Sequence, residues 1–175
     1  MAWLRALLML ALVVTAVLLE VTALPWLNLP GAVPDVVAVT VVALGYAGGP
    51  VRGAVAGFSA GVLLDLVPPA DGLLGLTAVV LVVVGYLAGL LGADQGRPAL
   101  VVVGATGLLA GGAVLLQALV GGIVADPRVP WDRVPGLVLT QVVYATVLAA
   151  FVVPLVGGLW RRVDPPAPRY EVARQ

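Results

Sequence analysis

The sequence predicts an all-α integral membrane protein, a compact bundle of about six transmembrane helices joined by short loops. Two observations predict the class. Of the 175 residues, 62% are hydrophobic and only 10% are charged, and the mean hydropathy of +1.14 lies far outside the globular range. A third predicts the arrangement: short proline- and glycine-rich breaks separate the apolar stretches, so successive helices must run antiparallel. Several spans of roughly 20 residues leave no room for a sizeable soluble domain. Residues 1–163 therefore form one polytopic transmembrane domain and 164–175 a short cytoplasmic tail.

The first apolar stretch, residues 3–24, carries Arg5 near its start and Glu20 near its end. Arg5, the apolar run after it and Val21-Thr22-Ala23 share the layout of a cleavable signal peptide, but we read the stretch as a retained first span. Pro25, Pro30 and Pro34 punctuate the chain around the start of the second stretch, 33–48, which Asp35 opens. Gly48-Gly49-Pro50 separates it from the third, 51–67, and Pro68-Pro69 separates the third from the fourth, 72–93. Gly96 precedes and Pro98 opens the fifth, 98–124; Pro127, Pro130 and Pro135 bracket the start of the sixth, 134–160, which Pro154 is expected to kink. The second and third stretches, about 16 or 17 residues each, are short for a crossing, so five spans with one re-entrant piece is the alternative layout.

Six spans with both termini in the cytoplasm place Arg5, Arg52, Arg97, Arg161, Arg162, Arg169 and Arg174 inside and only Arg128 and Arg133 outside. The five-span layout, with its amino terminus outside, divides the arginines less cleanly. Trp3, Trp26, Trp131 and Trp160 all fall at stretch ends, where an amphipathic ring belongs at the headgroup level. Arg161 and Arg162 read as topology anchors, with lipid headgroup contact as the weaker alternative. From Asp164 onward the tail is proline-rich and polar, which predicts a flexible extension.

The chain contains no cysteine, histidine or lysine, which removes disulfides, thiolate and imidazole metal ligands, Schiff bases and every histidine-based catalytic arrangement. We expect no enzyme, cofactor, metal site or nucleic-acid surface. Gly57-Phe58-Ser59-Ala60-Gly61 matches the G-x-S-x-G nucleophile elbow, yet it lies in a helix and the chain supplies no base for the serine. Ser59 is expected to bond a backbone carbonyl or a neighbouring helix. Two carboxylates sharing a proton are the other surviving chemistry. Glu20, Asp35, Asp65, Asp71 and Asp126 all fall near the external side, but none lies in the paired motifs of intramembrane aspartyl peptidases.

Within the third stretch Gly53, Gly57, Gly61 and Asp65 recur every fourth residue. Four helical residues advance 400°, so these form one stripe drifting about 40° per step. Its glycines permit another backbone to come close, and its carboxylate is a residue hydrocarbon tolerates poorly. Asp65 lies only about 4 to 5 Å below the helix end, so it either reaches headgroup water or an arginine, or is bonded inside the bundle or by a partner. Gln117 and Gln141, deep in the fifth and sixth stretches, need partners across helices, another amide being the natural one. A polar substrate cavity is the alternative. Gly85 with Gly89, and Gly107 with Gly111, repeat the small-xxx-small spacing.

Pro34-Asp35 opening an apolar span, then Arg52-Gly53, Gly57-Phe58, Gly61-Val62-Leu63-Leu64-Asp65, Gly72, Gly75 and Gly85-Tyr86-Leu87-Ala88-Gly89, resembles the rod shape-determining protein MreD family, as do chain length and span layout. The resemblance is most specific over residues 34–89. It implies a non-enzymatic scaffold of the bacterial plasma membrane, part of the elongation machinery that builds lateral peptidoglycan and maintains cell shape. The implied partners are the periplasmic scaffold MreC, an elongation peptidoglycan polymerase, a class B penicillin-binding protein and, indirectly, MreB filaments. It also implies that Gly53, Gly57, Gly61 and Asp65 form a partner or core-packing stripe, with Asp35 a second candidate. The alternative is a six-helix substrate-binding subunit of a micronutrient transporter, which requires a ligand-sized pocket reaching Gln117, Gln141 and Tyr144.

Overall fold

A computed structural model describes residues 2–27, 33–67, 74–92, 98–124, 126 and 129–165. These form six α-helices and no strand: α1 (Ala2–Thr22), α2 (Val36–Gly48), α3 (Pro50–Leu66), α4 (Leu76–Gly92), α5 (Ala99–Ile123) and α6 (Val134–Val163). A 3-10 turn, Leu24–Leu27, follows α1. Each helix falls on one of the apolar stretches, and α6 runs on through Pro154 to three residues beyond its stretch. Three helical segments, Trp3–Thr22, Ala99–Ile123 and Val134–Val163, are long and apolar enough to cross a membrane.

The short helix α2 is the centre of the bundle. Its 13 residues extend only about 20 Å, against about 30 Å of hydrocarbon. Residues Val37 to Gly45 are all buried, because α1, α3, α4, α5 and α6 each pack on it. A helix covered on every side carries apolar residues all round and has no polar face. It also has no need to match the bilayer's thickness, since its neighbours and not lipid surround it.

The most extensive contact in the molecule is α3 on α4, and the glycine stripe makes it. A methyl group at Gly53 would strike the carbonyl oxygen of Gly85, one at Gly57 the carbonyl oxygen of Leu81, and one at Gly61 the backbone of Ala78. From the α4 side, Gly85 faces the Gly53 carbonyl and Gly89 faces the backbone of Pro50. Gly45 of α2 joins the same crossing, where an added methyl would lie 2.6 Å from the Gly85 oxygen. The stripe is therefore filled by this chain's own α4. Gly107 and Gly111 likewise seat α5 against Thr146 and Val142 of α6.

The outer surface is apolar, with Leu10, Leu18, Phe58, Val79, Leu108 and Phe151 exposed, as expected of helices whose solvent is lipid. Trp3, Trp26 and Trp131 are exposed at helix ends, in the places expected of a headgroup belt. Trp160 departs from that expectation. It is 3% exposed and packed in the core, with its ring edge beside Gly48, where glycine leaves room for it.

The backbone contacts at Gly57 cannot give way as a flexible side chain would, so Gly57→Leu should cost about 3 kcal/mol or more, lowering the melting temperature in detergent by about 6–12 °C. Gly104 has open space at its Cβ position, and Gly104→Ala should leave the transition unchanged or slightly higher. Thermal unfolding followed by circular dichroism separates the two.

Candidate functional site

The start of α2 is a set of backbone donors placed inside an apolar bundle, and each donor there finds an acceptor. Val36 N–H donates to the Pro34 carbonyl at 3.2 Å. Val37 N–H donates to Glu20 Oε2, from α1, at 2.8 Å. Ala38 N–H donates to Asp35 Oδ1 at 2.5 Å, making Asp35 the side-chain cap of its own helix. With its amide turned so that both ends find partners, Gln141 of α6 accepts from Asp35 N–H and donates to the Val33 carbonyl, each at 3.2 Å. Gln141 is 1% exposed, so these bonds settle its deep burial. The two acid side chains thus arrive from different elements on adjacent amides of one helical turn, where they also hydrogen-bond each other.

Asp65, at the end of the glycine stripe, accepts a 2.8 Å hydrogen bond from Gly75 N–H. Gly75, with φ of +88°, immediately precedes α4 and adopts a backbone conformation that suits glycine. Asp65 therefore closes the α3–α4 connection within the chain. Glu20 and Asp35 converge, while Asp65 serves a different loop. Asp71, Gly72, Arg97, Arg128, Arg169 and Arg174 lie outside the described residues, as does the tail from residue 166 onward.

A second polar cluster occupies the opposite end of the bundle. Arg5 Nη2 of α1 and Arg52 Nη1 of α3 bind the two oxygens of Asp164, at 2.8 and 3.0 Å. Arg52 Nη1 also donates to the Gly48 carbonyl at 3.3 Å, and its guanidinium lies 5.6 Å from the centre of the Trp160 ring. Asp164 caps α6 through its own N–H to the Trp160 carbonyl. The residue that opens the predicted flexible tail is thus tied to α1 and α3.

Ser59 donates to the Val55 carbonyl one turn back in α3, at 2.9 Å, the backbone bond expected of a helical serine. Gln117 is half-buried on α5. Gln141 takes backbone partners at the head of α2, not the amide partner the sequence suggested, because α6 brings it beside an unsatisfied helix start. A cleft of about 270 Å³ between α4 and α5 is lined by residues such as Val83, Leu87, Leu108 and Leu116, and Gln117, Gln141 and Tyr144 are not among its walls. Two members of the polar clusters escaped sequence reasoning as bonding residues: Glu20 as an acceptor for α2, and Asp164 as the acid between two arginines. For Asp164 a signal existed, an acid set two residues after the Arg161-Arg162 pair.

Comparison with protein-family models, curated proteins and solved structures finds no match to this chain.

Glu20→Ala should expose Val37 N–H and speed its hydrogen exchange, whereas Glu20→Gln, which keeps an acceptor oxygen, should retain most of the protection. Gln141→Leu should cost about 1–3 kcal/mol by stranding Asp35 N–H and the Val33 carbonyl. Exchange measured across the α2 amides checks both, and equal protection in all three variants would contradict the assigned bonds.

Proposed function

We propose that this chain is a multi-pass component of the bacterial plasma membrane, with both termini cytoplasmic, that acts as a non-enzymatic scaffold in the cell-elongation complex. The observation that carries this reading is where the MreD-like residues go. Asp35, Gly53, Gly57, Gly61, Asp65, Gly75, Gly85 and Gly89 span most of the 34–89 resemblance, and all of them are spent on one α2–α3–α4 unit. They cap α2, draw α3 onto α4 backbone to backbone and close the loop between those helices. A rigid unit of this kind, covered by exposed apolar side chains, is suited to hold partner helices in fixed register.

The polar groups point the same way. Glu20 and Asp35 are engaged with backbone amides, and the Ser59 hydroxyl with a carbonyl. The described arginines also fit the cytoplasmic orientation. Arg5 and Arg52 meet beside the last turn of α6, which carries Arg161 and Arg162. Arg133 lies at the other end of α6, about 45 Å away along a 30-residue helix. The implied partners are the MreC-type periplasmic scaffold, the elongation polymerase with its class B penicillin-binding protein, and MreB filaments through the complex.

In the native host depleted of this chain, a tagged wild-type copy should restore rod shape and co-purify with the periplasmic scaffold and the polymerase. Asp65→Ala, which frees Gly75 N–H, should lower both recoveries at least several-fold at equal expression. A wild-type copy that retrieves no cell-wall protein, or a depletion that leaves cells rod-shaped, would overturn the proposal.

A further inference from the structure

The arginine end of the bundle carries more positive charge than its acid can balance. Among the described residues there, Arg5 and Arg52 share one acid, Asp164, and the adjoining turn of α6 adds Arg161 and Arg162, both exposed. The pairing is also thin for guanidinium groups. A guanidinium offers five donors, yet Arg5 places a single nitrogen on Asp164, while Arg52 uses Nη1 for both Asp164 and the Gly48 carbonyl. Arg5 Nε is shielded from solvent and has no acceptor among the described residues, an arrangement that leaves a desolvated donor uncompensated.

The cluster is open to a ligand. The side chains of Arg5 and Arg52 are 31% and 41% exposed, and Arg161 and Arg162 are exposed in the adjoining turn. Three helices converge on it, and the Trp160 ring beneath Arg52 limits the planes its guanidinium can adopt. Trp3, exposed two residues before Arg5, marks the headgroup depth of α1. Forked donors between helices at that depth suit phosphate oxygens, which guanidinium groups bind with matched geometry.

We propose that Arg5 and Arg52 form a site for the phosphate of an anionic phospholipid headgroup between α1, α3 and α6, with Arg161 and Arg162 adding positive charge from the adjoining turn. Asp164 acts as an internal competitor that holds the two inner arginines in place. The inference rests on the membrane placement proposed above and not on the cell-wall partners.

The test is native mass spectrometry of the purified full chain released from detergent with equimolar dioleoyl phosphatidylglycerol and dioleoyl phosphatidylcholine. The wild type should retain phosphatidylglycerol in preference, and Arg5→Gln/Arg52→Gln should lower that preference about ten-fold or more. Asp164→Asn keeps both arginines and removes the competitor, so it should hold or raise the preference. Equal retention of the two lipids by the wild type overturns the proposal. So does a fall in Asp164→Asn as large as in the double variant, which would make the cluster a purely structural clasp. Displacement of phosphatidylglycerol by millimolar inorganic phosphate would identify a soluble-anion site and overturn the lipid assignment. The assay contains no cell-wall protein, so its failure leaves the scaffold reading intact.

Discussion

The rest of the bundle depends on the need to satisfy the start of α2 away from water. A helix leaves its first backbone N–H groups without partners of its own, and in a low-dielectric interior each orphan costs far more than at a wet surface. Because α2 is surrounded by other helices, its residues from Val37 to Gly45 are buried. The donors must be met by the chain itself. That requirement fixes α1, which must bring Glu20 to Val37, and α6, which must bring Gln141 to the residues just before α2. Asp35 completes the set from within the helix it caps.

With α2 seated, α3 and α4 close over it through contacts that need no long side chains. Between lipid-solvated helices the hydrophobic effect supplies little drive, so close van der Waals contact and interhelical hydrogen bonding must hold them. Gly45, Gly53 and Gly85 bring three backbones to one crossing, and Asp65 fixes the loop by which α3 returns as α4. The position of this carboxylate near the helix end lets it reach a backbone donor without a full hydrocarbon penalty. A rigid core of this construction leaves its outer side chains free for lipid or for partner helices.

Much of this was legible in the sequence, for identifiable reasons. Apolar stretches bounded by proline and glycine gave six helices in nearly the observed places, because a break in a membrane helix demands those residues. The four-residue recurrence of Gly53, Gly57 and Gly61 lies on the face where α3 meets the backbone of α4. Which backbone fills that face was not legible, since a stripe made for α4 and one made for another protein have the same spacing. Gln141 announced a need for partners, but the donors and acceptors it meets are main-chain groups that every residue carries. Trp160 followed the end-of-span pattern and still turned inward, because Gly48 left a place for its ring and Arg52 a charge above it. Asp164 was read as the start of a tail because its partners are 159 and 112 residues distant in sequence.

The two polar clusters also set the position of α1, which has few buried residues besides Val13, Ala16 and Val17. In lipid, sliding α1 along its neighbours exchanges one apolar contact for another at little cost. Its polar ends do not permit that exchange. A shift of one turn, about 5.4 Å, would separate Glu20 from Val37 N–H and Arg5 from Asp164 together. The first loss strands a desolvated amide; the second opens an ion pair that is partly exposed and therefore weaker and sensitive to salt. The register of α1 is thus held chiefly at the acidic end, while the arginine end can exchange its acid for another anion without releasing the helix.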